Sequence, residues 1–462
     1  MCAHLDVPDR LAAELDTVPD HKTFATVDEV HQRLARLADD HPGVATLRRI
    51  GTSRLGDPML CLTVGDGPRH AVVAAGPHPN EPIGGLTVTH LASRLCADAG
   101  LRRAEGCTWH IVGCLDPDGT RLNEGWFAGP FTRAHYGRHF YRPAGDEQVE
   151  WTFPFAYKRA YFDRVLPETL ALMRLIDETR PAFLTTLHNG ESGGVFYYLN
   201  RPEPELQAVL RELPGRYGVP LHAGEAEHPS VKQLEPAFYL TPSMEDVYDY
   251  AEALGQDPVE HVGGASSDSY VRKYGTLGLT AEIPYWTDAS AGDTTPTGRT
   301  YRDVLTELAA RLTATSELLD GVLAAVTPEL STSSPFLRAT RSFIPMLAGT
   351  AATHAVRAPA PENERPATVA EVASCRDTVH SARLRFGGML LRALEGELAV
   401  GNVRPAIRAQ ARELARTYDR WCAEAEAGAS NETIPIRHLV AIQYGAILAG
   451  ARQAMTTPAA SA

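Results

Sequence analysis

No stretch of this 462-residue chain is apolar for long enough to span a bilayer. The amino terminus, MCAHLDVPDRLAAELD, carries acidic residues where a secretory leader has a basic start and an apolar core. These two absences predict a cytoplasmic chain with no membrane partner. No long run of Lys and Arg occurs and the formal charge is −13, which argues against nucleic acid or an anionic membrane surface, since both are held through basic patches. The seven cysteines (Cys2, Cys61, Cys96, Cys107, Cys114, Cys375 and Cys422) are odd in number and form no C-x-x-C pair. Neither a disulfide framework nor a thiolate metal site is signalled.

What is present is a set of three apolar runs that end in chemistry. The stretch HAVVAAGPHPNEPIGGLTVTHL (70–91) opens with a short apolar run, as a strand buried on both faces does. It then turns at Gly76 and Pro77, delivers His78 and Glu81, and enters a helix at Pro82, with Leu86, Val88 and Leu91 as apolar positions. PAFLTTLHNG (181–190) is a second run, ending in His188, and TLGLTAEIPY (276–285) a third, ending in Glu282. Ligands of open α/β sheets bind at the carboxyl ends of strands. Two histidines and a glutamate are a ligand set of catalytic zinc, and a further carboxylate is what metal-assisted amide hydrolysis needs.

The order His-x-x-Glu, distant His, more distant Glu resembles the zinc carboxypeptidase family, the carboxypeptidase A-like metallopeptidases. The resemblance runs from near Thr23 to about the helix that starts at Tyr301. It implies a mixed, mostly parallel sheet flanked by helices, one Zn²⁺ held by His78, Glu81 and His188, and Glu282 as general base. The turn Asp116-Pro117-Asp118-Gly119 is similar to the family's Asn-Pro-Asp-Gly, and by that resemblance Arg121 is the catalytic guanidinium that holds the oxyanion. The alternative for Arg121 is a loop arginine paired with Asp116, Asp118 or Glu124.

The departure from the family lies in YGRHFYRPAGDEQVEWTFP (136–154). The family's Asp-Leu-Asn-Arg run, whose Asn-Arg pair binds a terminal carboxylate, is missing, and Glu150 and Trp151 stand at the clamp positions. A free carboxylate would meet repulsion there unless Arg138, Arg142 or Lys158 supplies a cation. GGASSDSYVRKYG (263–275) resembles the segment lining the pocket of the residue removed, so Ser266, Ser267 and Asp268 are expected to form a small polar wall. After His188, Phe196 to Tyr198 are candidates for an aromatic wall, with core packing expected for at least one of them. The family's mobile tyrosine is expected near Glu260 and His261, where none stands. Tyr270 and Tyr274 are closest. Arg142, Glu150, Asp268 and Tyr270 are the candidate substrate-binding residues.

Around this core, Thr26 and Glu29 form a capping-box pattern ahead of Val27, Val30, Leu34 and Leu37. Residues 44–50 and 59–64 predict two strands, and 166–178 a helix. Val304, Leu308, Leu312, Leu319 and Val322 predict a long helix closing the α/β domain. Residues 331–335 read as a boundary, a Pro/Glu-rich linker covers 357–366, and Thr368 with Glu371 forms a second capping box. The expected division is a lead-in at 1–22, a catalytic domain at 23–328 and an all-α domain at 329–462, with a disordered tail from Thr456. The helical domain would serve as a lid, a homodimer surface or a brace.

Three functions fit. The first is a metallocarboxypeptidase acting on a peptide or peptide-like metabolite. The second is a zinc amidohydrolase or deacylase of a small amide, and the third is an inactive zinc-binding interaction protein. The family order of the motifs favours the first.

Overall fold

The computed structural model describes residues 7–260, 262–427 and 432–456. The expectations for His261 and for the tail after Thr456 fall outside the described residues. A nine-stranded mixed sheet organises the chain. Its strands are β1 (Ala45–Thr52), β2 (Pro58–Val64), β3 (Arg69–Ala74), β4 (Cys107–Val112), β5 (Phe183–Thr186), β6 (Phe196–Leu199), β7 (Gln233–Glu235), β8 (Phe238–Leu240) and β9 (Leu277–Glu282). Their order is β1-β2-β4-β3-β5-β9-β6-β8-β7. The central four, β4-β3-β5-β9, are parallel, while β1-β2, β2-β4, β6-β9 and β7-β8 pair antiparallel. This central parallel block has both faces covered, which explains why its strands read as continuous apolar runs.

Alternate residues of β3 go to opposite faces. Ala71 and Val73 join one core, which also holds residues of the helices α1 (Val27–Asp40) and α2 (Ile83–Ala97). Val72 and Ala74 join the other, under α3 (Pro167–Thr179). The capping box of Thr26 and Glu29 is formed at the start of α1. That of Thr368 and Glu371 starts a 31-residue helix.

The helix Pro204–Gly215 is α4, and the later ones are α5 (Tyr301–Val326), α6 (Pro335–Arg357), α7 (Val369–Ala399), α8 (Pro405–Ala427) and α9 (Ile436–Thr456). Two of them pack across the boundary that composition suggests. The α5 helix, expected to close the sheet domain, lies along α6 and α7, and the last helix, α9, packs on α2, α4, β5 and β9. Gly450 brings α9 close, since a Cβ there would stand 2.6 Å from the Phe183 ring of β5 and 3.0 Å from Leu279 of β9. The segment 357–366 is not an open linker: it holds a 3₁₀ turn at Pro361–Glu364 and the start of a short strand, Pro366–Thr368. No helix among the described residues is long and apolar enough to cross a membrane.

Candidate metal centre

Three neighbouring strands deliver the chemistry. The chain leaves β3 through Gly76, whose φ of +63° is left-handed and whose missing Cβ leaves room for Cys114 Sγ. His78 and Glu81 follow before α2 begins. His188 lies just past β5 and forms an isolated parallel bridge with Glu282 at the end of β9. Neighbouring strands thus place these two residues side by side.

His78, Glu81 and His188 converge, with their ligand atoms all within 4.8 Å of one another. His78 Nδ1 stands 3.1 Å from Glu81 Oε1, and His188 Nδ1 stands 3.1 Å from His78 Nδ1 and 3.1 Å from Glu81 Oε2. Two imidazole nitrogens and a carboxylate this close are held by N–H hydrogen bonds or by a shared metal ion, according to the tautomers. All three side chains are buried, and the N, N, O donor set is that of catalytic zinc. The residues fit the ion.

The electrostatics agree. Burial, aided by the Arg142 guanidinium, pushes His78 down to about 3. Burial also opposes a charge on His188, yet Glu81, Glu282 and Glu150 together hold it up at about 9. Against the upward push of burial, the two imidazoles keep Glu81 below the usual carboxylate range. Burial and then the Glu227 carboxylate push Glu282 well above that range. Glu282 Oε1 is 3.8 Å from His188 Nδ1.

The wall around this cluster comes largely from the segment in which the family pattern lapses. Arg142 Nη1 is 3.6 Å from Glu81 Oε1, its Nε donates to Gln148 Oε1 at 3.0 Å, and its guanidinium lies 5.5 Å from the Trp151 ring centre. Trp151 in turn meets the His78 ring at 5.8 Å. Glu150 is buried. Its Oε1 accepts from the Ser267 amide at 3.1 Å and the Ser267 hydroxyl at 2.5 Å, while its Oε2 is buried without a hydrogen-bond partner. Burial raises the Glu150 carboxyl, and His188 opposes this. Asp268 lies behind Glu150, also buried and pushed up to about 6 by burial. It sits 3.9 Å from Arg272.

Other expected residues lie elsewhere. The guanidinium of Arg121 is taken up by Asp57, at 2.7 and 3.2 Å, and Asp28, at 2.8 Å. It ties the β1–β2 turn to the start of α1, and it pairs with none of Asp116, Asp118 or Glu124. Arg142 is the arginine that faces the cluster. The Tyr270 hydroxyl donates to Asp177 at 2.8 and 3.0 Å, and the Tyr274 hydroxyl donates to the same carboxylate. Arg138 pairs with Glu395 and Lys158 with Asp249 and Glu252. Of the aromatic wall, Tyr197 belongs to the core, stacked on Phe238. Tyr198 donates its hydroxyl to Glu227 at 2.9 Å.

Asn80, Tyr136, Glu191 and Tyr285 were not singled out in the sequence. The Tyr285 hydroxyl donates to the Asn80 carbonyl at 2.9 Å, and Asn80 Nδ2 donates to the Tyr136 hydroxyl at 3.2 Å. Proximity to the motif residues is their signal: Asn80 lies between His78 and Glu81, and Glu191 is three residues past His188.

The family model described as zinc carboxypeptidase matches residues 30–223. Over 146 residues the chain is 30% identical to zinc carboxypeptidase A 1 of Anopheles gambiae, a span of 30% of this chain and 33% of the relative. The chain thus spans about a third of the length of that curated relative. Among solved structures, it is similar to the carboxypeptidase A of Helicoverpa armigera, with 15% identity, a TM-score of 0.38, and coverage of 76% of this chain and 79% of that one. It is also similar to a metallo-carboxypeptidase of Burkholderia cenocepacia, with 17% identity, a TM-score of 0.34, and coverage of 56% and 60%. The match to the zinc carboxypeptidase model takes in His78, Glu81, Arg142 and His188.

Proposed function

We propose that this chain is a zinc-dependent metallocarboxypeptidase that hydrolyses the C-terminal amide bond of a peptide or peptide-like metabolite. The observation that carries the reading is the convergence of His78, Glu81 and His188 at the strand ends with Glu282 beside them. When bound, zinc supplies Lewis acidity, lowering the pKa of water and polarising a carbonyl. His78, Glu81 and His188 would hold it. Glu282 takes the proton from the attacking water and returns it to the leaving amine, a role suited to a carboxylate whose environment raises its proton affinity. Arg142, rather than Arg121, faces the negative charge that develops on the carbonyl oxygen. Its side chain is 15% exposed and packs against Trp151, where a fixed cation is only partly screened.

The terminal carboxylate of a peptide has no Asn-Arg pair to meet it, and Glu150 stands where that pair is expected. If the substrate is a free-ended peptide, Arg142 must hold its carboxylate as well. The test is mass spectrometry of a peptide mixture incubated with zinc-loaded protein, each peptide offered with a free and an amidated C-terminus, beside a Glu282→Gln control. The expected outcome is loss of one residue from free ends only, abolished in the control. Cleavage of both forms would replace the proposal with an amidohydrolase indifferent to the carboxylate. Cleavage of neither would overturn it in favour of a small-molecule amide substrate or a binding role.

A further inference from the structure

Both metal-ligating segments are gripped from behind by helices that lie outside residues 30–223. On one side Gln443, in the middle of α9, donates its Nε2 to the backbone carbonyl of His188 at 3.0 Å. Gln443 is 1% exposed, and its neighbours Leu439, Val440, Ile442, Ala446 and Ile447 are buried apolar residues of the same helix. Its Oε1 is buried with no hydrogen-bond partner. Packing a helix on a sheet does not call for an amide here, because a half-satisfied buried amide carries a desolvation cost that leucine or methionine would avoid. The Nε2 contact with His188 is what the amide adds.

On the other side a relay reaches the His78–Glu81 segment from α7. Ser381 Oγ donates to Glu191 Oε2 at 2.7 Å, and Arg385 Nη1 lies 3.2 Å from Glu191 Oε1. The Tyr136 hydroxyl donates to that same Oε1 at 2.8 Å and accepts from Asn80 Nδ2 at 3.2 Å. Asn80 is bonded on both sides to its metal-ligating neighbours, Glu81 directly and His78 through Pro79. Glu191 belongs to the His188 segment, so one carboxylate links α7 to both halves of the ligand set.

We infer that Gln443 and the Ser381–Glu191–Tyr136 relay are positioning residues that set the geometry of the metal ligands. The region 369–456 is then a working part of the centre and not an accessory to it. The far ring nitrogen of His188, Nε2, lies 3.1 Å from the Thr186 hydroxyl, and fixing the His188 carbonyl holds the backbone from which that ring projects. The inference rests on the reading of His78, Glu81 and His188 as zinc ligands.

The experiment uses the full chain with Gln443→Met, which keeps the volume and removes the donor, and with Ser381→Ala at the far end of the relay. Ile447→Val, which loses a methyl group from the same helix, serves as a packing control. Zinc affinity is read by chelator competition, and ligand geometry by the visible absorption of the cobalt(II)-substituted protein. Gln443→Met is expected to weaken zinc about 10- to 100-fold, the range found when outer partners of metal ligands are removed, and to shift the cobalt bands. Ser381→Ala should move both in the same direction by less, and Ile447→Val should leave both unchanged. Zinc affinity within twofold of wild type and unaltered cobalt bands in both positioning variants would overturn the inference, as would equal losses in the packing control. If Gln443→Met does not fold, Ser381→Ala decides alone. Failure of the wild type to bind zinc would overturn the metal-centre reading and the inference with it, and is distinguished by appearing in the unmutated chain.

Discussion

Arg121 and Arg142 stand 21 residues apart in sequence, and the two regions that hold them treat the same side chain in opposite ways. Around Arg121 the fold brings two carboxylates, Asp57 and Asp28, to a guanidinium whose side chain is 35% exposed. Those hydrogen bonds raise its proton affinity further and complete its coordination. Around Arg142 the fold supplies an aromatic face and a neutral amide, from Trp151 and Gln148. The nearest carboxylate, Glu81, belongs to the metal cluster at 3.6 Å. One guanidinium is satisfied by its own neighbourhood, while the other is held in place by contacts that leave its charge directed at the site. The counter-charges that the fold brings to each arginine separate the two, and a one-dimensional motif does not contain them.

The largest expected effect tests the Arg142 side. Arg142→Met should lower kcat by about 10²- to 10³-fold, the usual loss when one oxyanion donor is removed, with zinc content unchanged by metal analysis. A kcat within a factor of a few of wild type would return the role to Arg121. A much smaller effect is expected on the other side. Arg121→Ala should leave kcat unaltered and cost about 1 kcal/mol or less in urea unfolding, since exposed ion pairs contribute little.

The last difference is one of shape rather than size, and it also lies in the Arg121 region. Burial pushes the Asp116 carboxyl up to about 7, while its Oδ1 caps the turn by accepting from the Gly119 amide at 2.9 Å. The native state therefore keeps a proton that the unfolded chain has lost above about pH 4. Wild-type stability should fall as pH rises from about 4 to 7 and be level in this respect above. Asp116→Asn keeps the cap acceptor and removes the charge, so its stability relative to wild type should climb across that window. Parallel pH–stability curves for the two proteins would remove Asp116 as a source of strain.

The strands and the convergence of His78, Glu81 and His188 were legible because they rest on local signals. Continuous apolar runs marked β3, β5 and β9; the first two lead into the cluster, and the third ends in Glu282, 3.8 Å from His188 Nδ1. Both capping boxes were legible for the same reason, since their hydrogen bonds close within four residues. Arg121 was favoured because it follows a recognisable turn, and its true partners, 64 and 93 residues away in sequence, are invisible to any short window. The Tyr270 and Tyr274 hydroxyls likewise find a partner far off in sequence, Asp177. Gln443 was hidden because one polar residue on an apolar helix resembles a surface position until the helix is seen to lie on the sheet. The composition change near residue 329 is real, but α9 shows that composition does not report on which layer a helix joins.

The placement of α9 also imposes a timetable. During synthesis the strands carrying His78, His188 and Glu282 emerge long before residues 436–456, and nascent chains fold from the amino-terminal end. The α9 contacts on β5 and β9 and the partner of the His188 carbonyl are missing until residues 436–456 have been made. The cluster of His78, Glu81 and His188 is thus left without its Gln443 contact until residues 436–456 have been made.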